Sequence, residues 1–342
     1  MRKQGVVDFV PDRHGVDMMK RAVVATLAFL SSLLPFPSLA RQDFLFVTFR
    51  GEQDPMAEQI HFGLSNDGLH WRALNGGRPA LVSTVGEKGA RDPFLIRSPD
   101  GTLTYLLATD LSIHLHGHDW NHALTRGSRS ILIWESMDLV NWSAPRLIAI
   151  APEDASCAWA PEAIYDEETE DYLVFWASKT ARDDFRKLRI WAARTRDFHS
   201  FTKPFIYLEK PADVIDTTII RHQLDYLRFS KDESAKAILM ERAPRLDGPW
   251  QEVRDFSLAN GKGYEGPTCF PLFSATAGHG KSWCLLLDHY SRSEGYKAFI
   301  SRDPDIANFA ASAEVRFPFR FRHGSVLPIS RAEAERLSRA FP

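Results

Sequence analysis

Four carboxylic acids and one histidine stand at the openings of short apolar runs, mostly beside Pro or Gly. The openings are Arg91-Asp92-Pro93-Phe94-Leu95-Ile96, Trp159-Ala160-Pro161-Glu162-Ala163-Ile164, Val214-Ile215-Asp216-Thr217-Thr218-Ile219, Glu265-Gly266-Pro267-Thr268 and His323-Gly324-Ser325-Val326-Leu327. Taken singly, Asp-Pro and Gly-Pro steps are ordinary turn chemistry. Brought to one place, the same side chains must perturb one another. Like charges disfavour ionisation, so at least one of the acids should stay protonated near neutral pH. One proton donor and one base held apart are the equipment for breaking a glycosidic bond.

Only a repeating fold brings five such openings together. After Arg41 the chain consists of short β-rich runs separated by turns, with almost no helical periodicity. A second pattern interleaves with the openings: a strand, then Ser or Thr near an Asp, then an aromatic residue. It reads Ser65-Asn66-Asp67-Gly68-Leu69-His70-Trp71, Ser136-Met137-Asp138-Leu139-Val140-Asn141-Trp142 and Thr195-Arg196-Asp197-Phe198-His199-Ser200-Phe201. Degenerate copies pass through Asp247 to Trp250 and through Asp303 to Phe309. Each Asp is expected to cap a turn while the aromatic packs between sheets. Self-similarity at this period is the mark of propeller blades. Residues 44–83 carry an outer pattern without an opening, and residues 323–329 an opening without an outer pattern. The expectation is therefore an all-β, five-bladed β-propeller over residues 41–342, with the C-terminal strand completing the N-terminal blade. A β-sandwich would not explain two interleaved motifs. In a propeller the first strand of each blade lines the axis, so Asp92, Glu162, Asp216, Glu265 and His323 should converge there.

The 342 residues are 44% hydrophobic and 25% charged, with a net charge of −2 and no basic stripe, which argues against nucleic acid as a partner. Residues 1–40 read differently. Met18-Met19-Lys20-Arg21 precedes an apolar run over 22–34 and a small-residue exit at Ala40, the order of a secretory signal peptide. The basic start so far from residue 1 suggests that translation begins at Met18 or Met19. The expected destination is periplasmic or extracellular, with no membrane association after cleavage. Three cysteines, Cys157, Cys269 and Cys284, do not make a disulfide framework, and reduced core thiols are expected. His114, His116, His118 and His122 crowd one loop, which is read as a rim contacting substrate in preference to a metal site.

In order and spacing, the five openings resemble the motifs of glycoside hydrolase family 43, whose members include β-xylosidases, α-L-arabinofuranosidases, arabinanases and some galactosidases. The resemblance runs over essentially all of the chain beyond residue 40. It implies a five-bladed propeller and hydrolysis with inversion, with Asp92 matching the general base, Asp216 the carboxylate that tunes and orients, and Glu265 the general acid. The environment expected to keep Glu265 protonated is the crowd of neighbouring carboxylates. Glu162 stands where relatives often carry Asp and is given a supporting, substrate-binding role. Trp159 is the candidate sugar platform, and Arg91 and Arg322 are placed to bind hydroxyls or hold a carboxylate ionised. His323 matches a histidine that in relatives lies near a calcium ion or water cluster. A structural Ca²⁺ on the axis is thus the one metal to test, and no cofactor is required. The expected protein is a monomer acting on carbohydrate, α-L-arabinofuranosides or β-xylosides first. Two rivals are a catalytically silent carbohydrate-binding propeller and a retaining, fructosidase-like hydrolase with its two carboxylates closer together.

Overall fold

The computed structural model describes residues 42–272, 282–302 and 306–342. The signal-like segment over 1–40 and the Asp303 copy of the outer pattern lie outside the described residues. The remaining chain forms five four-stranded antiparallel sheets. Blade 1 orders Gly324–Ile329, Asp43–Thr48, His61–Ser65 and Arg72–Ala73, so the last strand of the chain is the first of this blade. Six residue pairs from Asp43↔Ile329 to Thr48↔Gly324 make that closure. Blade 2 runs Ala90–Arg97, Thr104–Asp110, Ser130–Ser136 and Arg146–Ala149. Blade 3 runs Trp159–Asp166, Asp171–Ser178, Arg189–Thr195 and Phe205–Leu208. Blade 4 runs Val214–His222, Asp225–Asp232, Ala237–Ala243 and Gln251–Glu252, and blade 5 Glu265–Leu272, Ser282–Asp288, Tyr296–Ser301 and Ala310–Ser312. The first strands of the five blades contact one another in a closed ring, so each inner sheet edge is covered by its neighbours.

Alternation along the strands builds the core. In blade 1, Leu45 and Val47 face blade 2 and pack with Leu95, Leu106 and Trp134. Phe44 and Phe46, on the opposite face, pack with Phe270 and Leu286 of blade 5. A similar apolar layer fills each of the other three interfaces. The register pairs Cys269 with Leu285 and Cys284 with Phe270, so the two thiols face different interfaces. All three cysteines are free and buried.

The outer pattern is a recurring turn. Ser65, Ser136 and Thr195 accept from the N–H groups of Gly68, Leu139 and Phe198 at 2.8–2.9 Å. Each of those three donors is left-handed, with φ of 76°, 66° and 55°. Asp67, Asp138 and Asp197 each accept from two backbone N–H groups further on. Two helices depart from the all-strand reading: α1 (Trp120–Arg126), which carries part of the histidine loop, and α2 (Arg331–Ala340). The capping box of Ser330 and Glu333 starts α2, which buries Ala334 and Leu337 against the blade 1–blade 2 layer.

Candidate active site

Four of the five inner strands carry the same bulge. The ladder shifts between Arg91 and Phe94, Trp159 and Glu162, Ile215 and Thr218, and Glu265 and Thr268. The second residue of each bulge is left-handed: Asp92, Ala160, Asp216 and Gly266 have φ of 48–54°. Bulges re-aim side chains and are favoured beside functional sites. Aligned on the bulge, Asp92 and Asp216 occupy equivalent positions, Glu265 lies one residue earlier and Glu162 two residues later. The five openings therefore converge without being equivalent. Gly266 is required where it stands, since a Cβ there would lie 2.5 Å from the ring of His323. The Tyr296 hydroxyl donates to the Gly266 carbonyl and accepts from the Gly324 N–H, tying the two segments together.

His323 is the hub. Its Nδ1 lies 3.4 Å from Asp92 Oδ1 and 4.0 Å from Asp216 Oδ1. Burial opposes its charge, but Asp216, Asp92 and Glu162 outweigh burial and lift the imidazole to about 9. Asp92 also accepts from Thr109 Oγ1 at 2.9 Å, and Thr109 in turn accepts from the Ala160 N–H of the next blade. Burial would raise Asp92, yet the hydrogen bond and charge of His323, with Arg91 and Thr109, hold it below the usual range. Asp216 accepts from the Gly266 N–H at 3.1 Å. Burial lifts it to about 6 against the pull of His323, with Glu265 adding to the rise. Glu162 is pushed to about 8 by burial, with Thr218 and His323 opposing. Among the described residues its Oε2 has no hydrogen-bond partner. At neutral pH the axis thus holds a protonated Glu162 and an imidazolium beside an ionised Asp92.

Glu265 departs from the sequence expectation. Beside the carboxylates of Asp216 and Asp288, a cation also meets each of its oxygens: Lys231 Nζ at 2.8 Å from Oε2 and Arg322 Nη2 at 3.3 Å from Oε1. The Asp92 and Glu265 side chains are 16% and 20% exposed, against 10% for Asp216 and 7% for His323. The two most accessible acids therefore sit on blades 2 and 5, and Asp216 and His323 are more buried. Lys231 is the residue that sequence reading missed, because it belongs to a second strand. In sequence it is one of several polar residues in its strand, Leu227-Arg228-Phe229-Ser230-Lys231, and nothing local marks it.

The arginines are already engaged. Arg91 is buried and donates to Glu58 at 2.8 Å and Glu52 at 3.0 Å. Arg322 donates to Asp288 at 2.5 Å as well as to Glu265. Phe49 lies between the two guanidinium groups, 4.4 Å from one and 5.3 Å from the other. Trp159 is half-buried and meets Trp120 edge to face at 6.2 Å, leaving Trp120, 43% exposed, as the open aromatic surface. His114 and His118 turn to the Glu52 carbonyl, whereas His116 faces Glu87. Among the described residues no three His, Cys, Asp or Glu side chains are placed to hold a metal. At the axis the His323 ring lies 3.4 Å from Asp92 and 4.0 Å from Asp216.

A closed ring of five blades with acids, an imidazolium and two cations at its centre defines a propeller of the glycoside-hydrolase kind. The family described as "Probable glycosyl hydrolase domain", related to glycoside hydrolase family 43, matches residues 40–335, and the chain belongs to it. An α-L-arabinofuranosidase of Bifidobacterium longum subsp. longum is 31% identical over 286 residues, covering 71% of this chain and 26% of that protein. The chain thus spans about a quarter of that relative's length. A family-43 protein of Bacillus licheniformis superposes with a TM-score of 0.49 at 12% identity, covering 85% of this chain and 51% of the other. An exo-β-1,3-galactanase of Phanerochaete chrysosporium gives 0.47 at 17% identity over 68% and 53%. The propeller assignment rests on the five sheets themselves.

Proposed function

We propose that this protein hydrolyses glycosidic bonds in side chains of plant-type polysaccharides or oligosaccharides, with inversion at the anomeric carbon. The observation that carries the reading is the pair of accessible axial acids, Asp92 and Glu265, on separate blades above a buried charge network. Glu265 gives its proton to the glycosidic oxygen as the C–O bond breaks, and the leaving group departs as an alcohol. Water attacks the opposite face of the sugar, forms the new C–O bond and loses a proton to Asp92. An ionised Asp92 suits a base, and the imidazolium of His323 keeps it so. Asp216, fixed by the Gly266 N–H immediately after Glu265, orients the acid and senses its charge.

The 31% identical relative is an α-L-arabinofuranosidase, which supports α-L-arabinofuranosides as the first substrates to test, with β-xylosides second. We further propose export with cleavage close to Ala40, a monomeric state, and no requirement for a metal. N-terminal sequencing of exported protein checks the cleavage point. A panel of aryl glycosides, followed by proton NMR of the first sugar released, tests activity and stereochemistry together. Product of the substrate's own anomeric configuration would favour the retaining rival, and binding without turnover the silent one.

A further inference from the structure

Among the described residues, Lys231 is the one cation buried against Glu265 from a second strand. It lies on Asp225–Asp232 of blade 4, opposite Ile215 at the edge of the bulge that carries Asp216. Only 2% of the residue is exposed. A lone buried ammonium group is costly, and its pairing must be close to be tolerated. Nζ lies 2.6 Å from Glu233 Oε2 and 2.8 Å from Glu265 Oε2, and 4.2 Å from the centre of the Tyr290 ring. Burial works against its charge, yet Glu265, Asp216 and Glu233 hold the ammonium above its ordinary range. Lys231 is therefore a permanent cation, reaching across from blade 4 to a carboxylate of blade 5.

We propose that Lys231 is a positioning residue for Glu265: it fixes the carboxyl group through Oε2 and stabilises the anion left when the proton passes to the leaving oxygen. The inference rests on the reading of Glu265 as proton donor. Its logic is that of an acid tuned for release, since a cation in contact makes the donor stronger and lets the alcohol depart with less charge on it. The charged groups facing Glu265 come from every neighbouring element. Asp216 faces it from the inner strand of blade 4, Lys231 and then Glu233 with Lys236 from behind, and Asp288 from the second strand of blade 5. Arg322 comes from the segment before the closing strand, with Glu52 beside it; Tyr290 lies against Lys231, and His289 pairs with Glu294 in the turn after Asp288. Of these, Lys231 and Arg322 alone are cations bonded to Glu265, and Arg322 divides itself between Glu265 and Asp288.

The test is a pH profile of kcat/KM for Lys231→Met and Lys231→Arg, alongside Glu233→Gln, with a natural oligosaccharide and an activated aryl glycoside. Lys231→Met is expected to move the alkaline limb up by about 1 unit or more, the usual effect of losing an opposite charge at this distance. It should slow the oligosaccharide more than the aryl glycoside. Lys231→Arg should restore the limb. Glu233→Gln should move it the other way, by leaving Lys231 to Glu265, which keeps the test open should Lys231→Met fold poorly. Independently of turnover, the Glu265 carboxyl carbon is titrated by ¹³C NMR, its signal assigned with Glu265→Gln. A midpoint that does not respond to Lys231→Met or Glu233→Gln overturns the inference, as does equal loss of rate at every pH for both substrates. A responsive midpoint in a protein that hydrolyses none of the glycosides would instead overturn the donor reading of Glu265.

Discussion

Aspartates stand in two settings in this molecule, at the outer turns and at the axis, and each setting places them beside left-handed backbone. At the outer turns Asp67 and Asp138 lie near the surface and gather backbone N–H groups. For Asp138 the Asn141 N–H is the leading influence, and for Asp67 burial is outweighed by His70 and Leu69, so both carboxyls fall to about 2. At the axis Asp216 is closed off from water beside other acids and rises to about 6, and Glu162 rises to about 8. A carboxylate satisfied by N–H groups and open to water is a structural cap. One denied water and surrounded by charge is poised to exchange protons. Asp138 and Asp216 are the same residue type, so their difference lies in what surrounds the group.

Four substitutions would break or sharpen this contrast. The largest effect is expected from Glu265→Ala, which should cost about 10²–10⁴-fold in kcat/KM on natural oligosaccharides and far less on an activated aryl glycoside. Asp138→Ala, the matching change at an outer turn, should leave both rates near wild type. Asp92→Ala should slow both substrates alike, because water needs its base whatever the leaving group; selective loss on one substrate would reverse the two assignments. Asp216→Asn should lower the rate less and displace a limb of the pH profile, since it alters the charge next to Glu265.

Stability should separate the same regions with opposite signs. Glu162 is raised above its unfolded value of 4.5. The unfolded chain then binds fewer protons than the folded one between about pH 4.5 and 8, and stability falls as pH rises through that window. Glu162→Gln should flatten that slope in denaturant titrations at pH 5, 6.5 and 8, and an unchanged slope would remove Glu162 as its source. The outer aspartates are depressed below their unfolded value of 3.8. Their contribution is present above about pH 4 and is lost as pH falls toward 2. The smallest effect is Asp138→Ala, which should cost about 1 kcal/mol at pH 7 through its lost hydrogen bonds and little at pH 2.

Much of the architecture was legible in the chain because a propeller repeats. Period-2 runs, Ser or Thr two residues before Asp, and an aromatic further on recur with enough fidelity to count blades. The unpaired opening at His323 announced the closing strand. Less regular signals were passed over. The Ser330–Glu333 cap of α2 was readable, yet it follows the last strand, where no blade pattern pointed to it. The axial openings expected to converge do lie near one another, but their positions relative to the bulges were not legible. Asp92 and Asp216 share a bulge position that Glu162 and Glu265 do not, and a bulge appears in sequence only as an extra residue.

By itself the sequence determined which residues meet at the centre, because strand order and blade count follow from local periodicity and turn chemistry. Only the tertiary structure decided which groups each of them meets there. Lys231 enters from a second strand of one blade to meet a carboxylate of the next, Arg91 is drawn away to Glu58, and His323 closes over a glycine. Those contacts join residues 33 to 57 positions apart. Charge and burial depend on distance in space, and no local pattern encodes that distance.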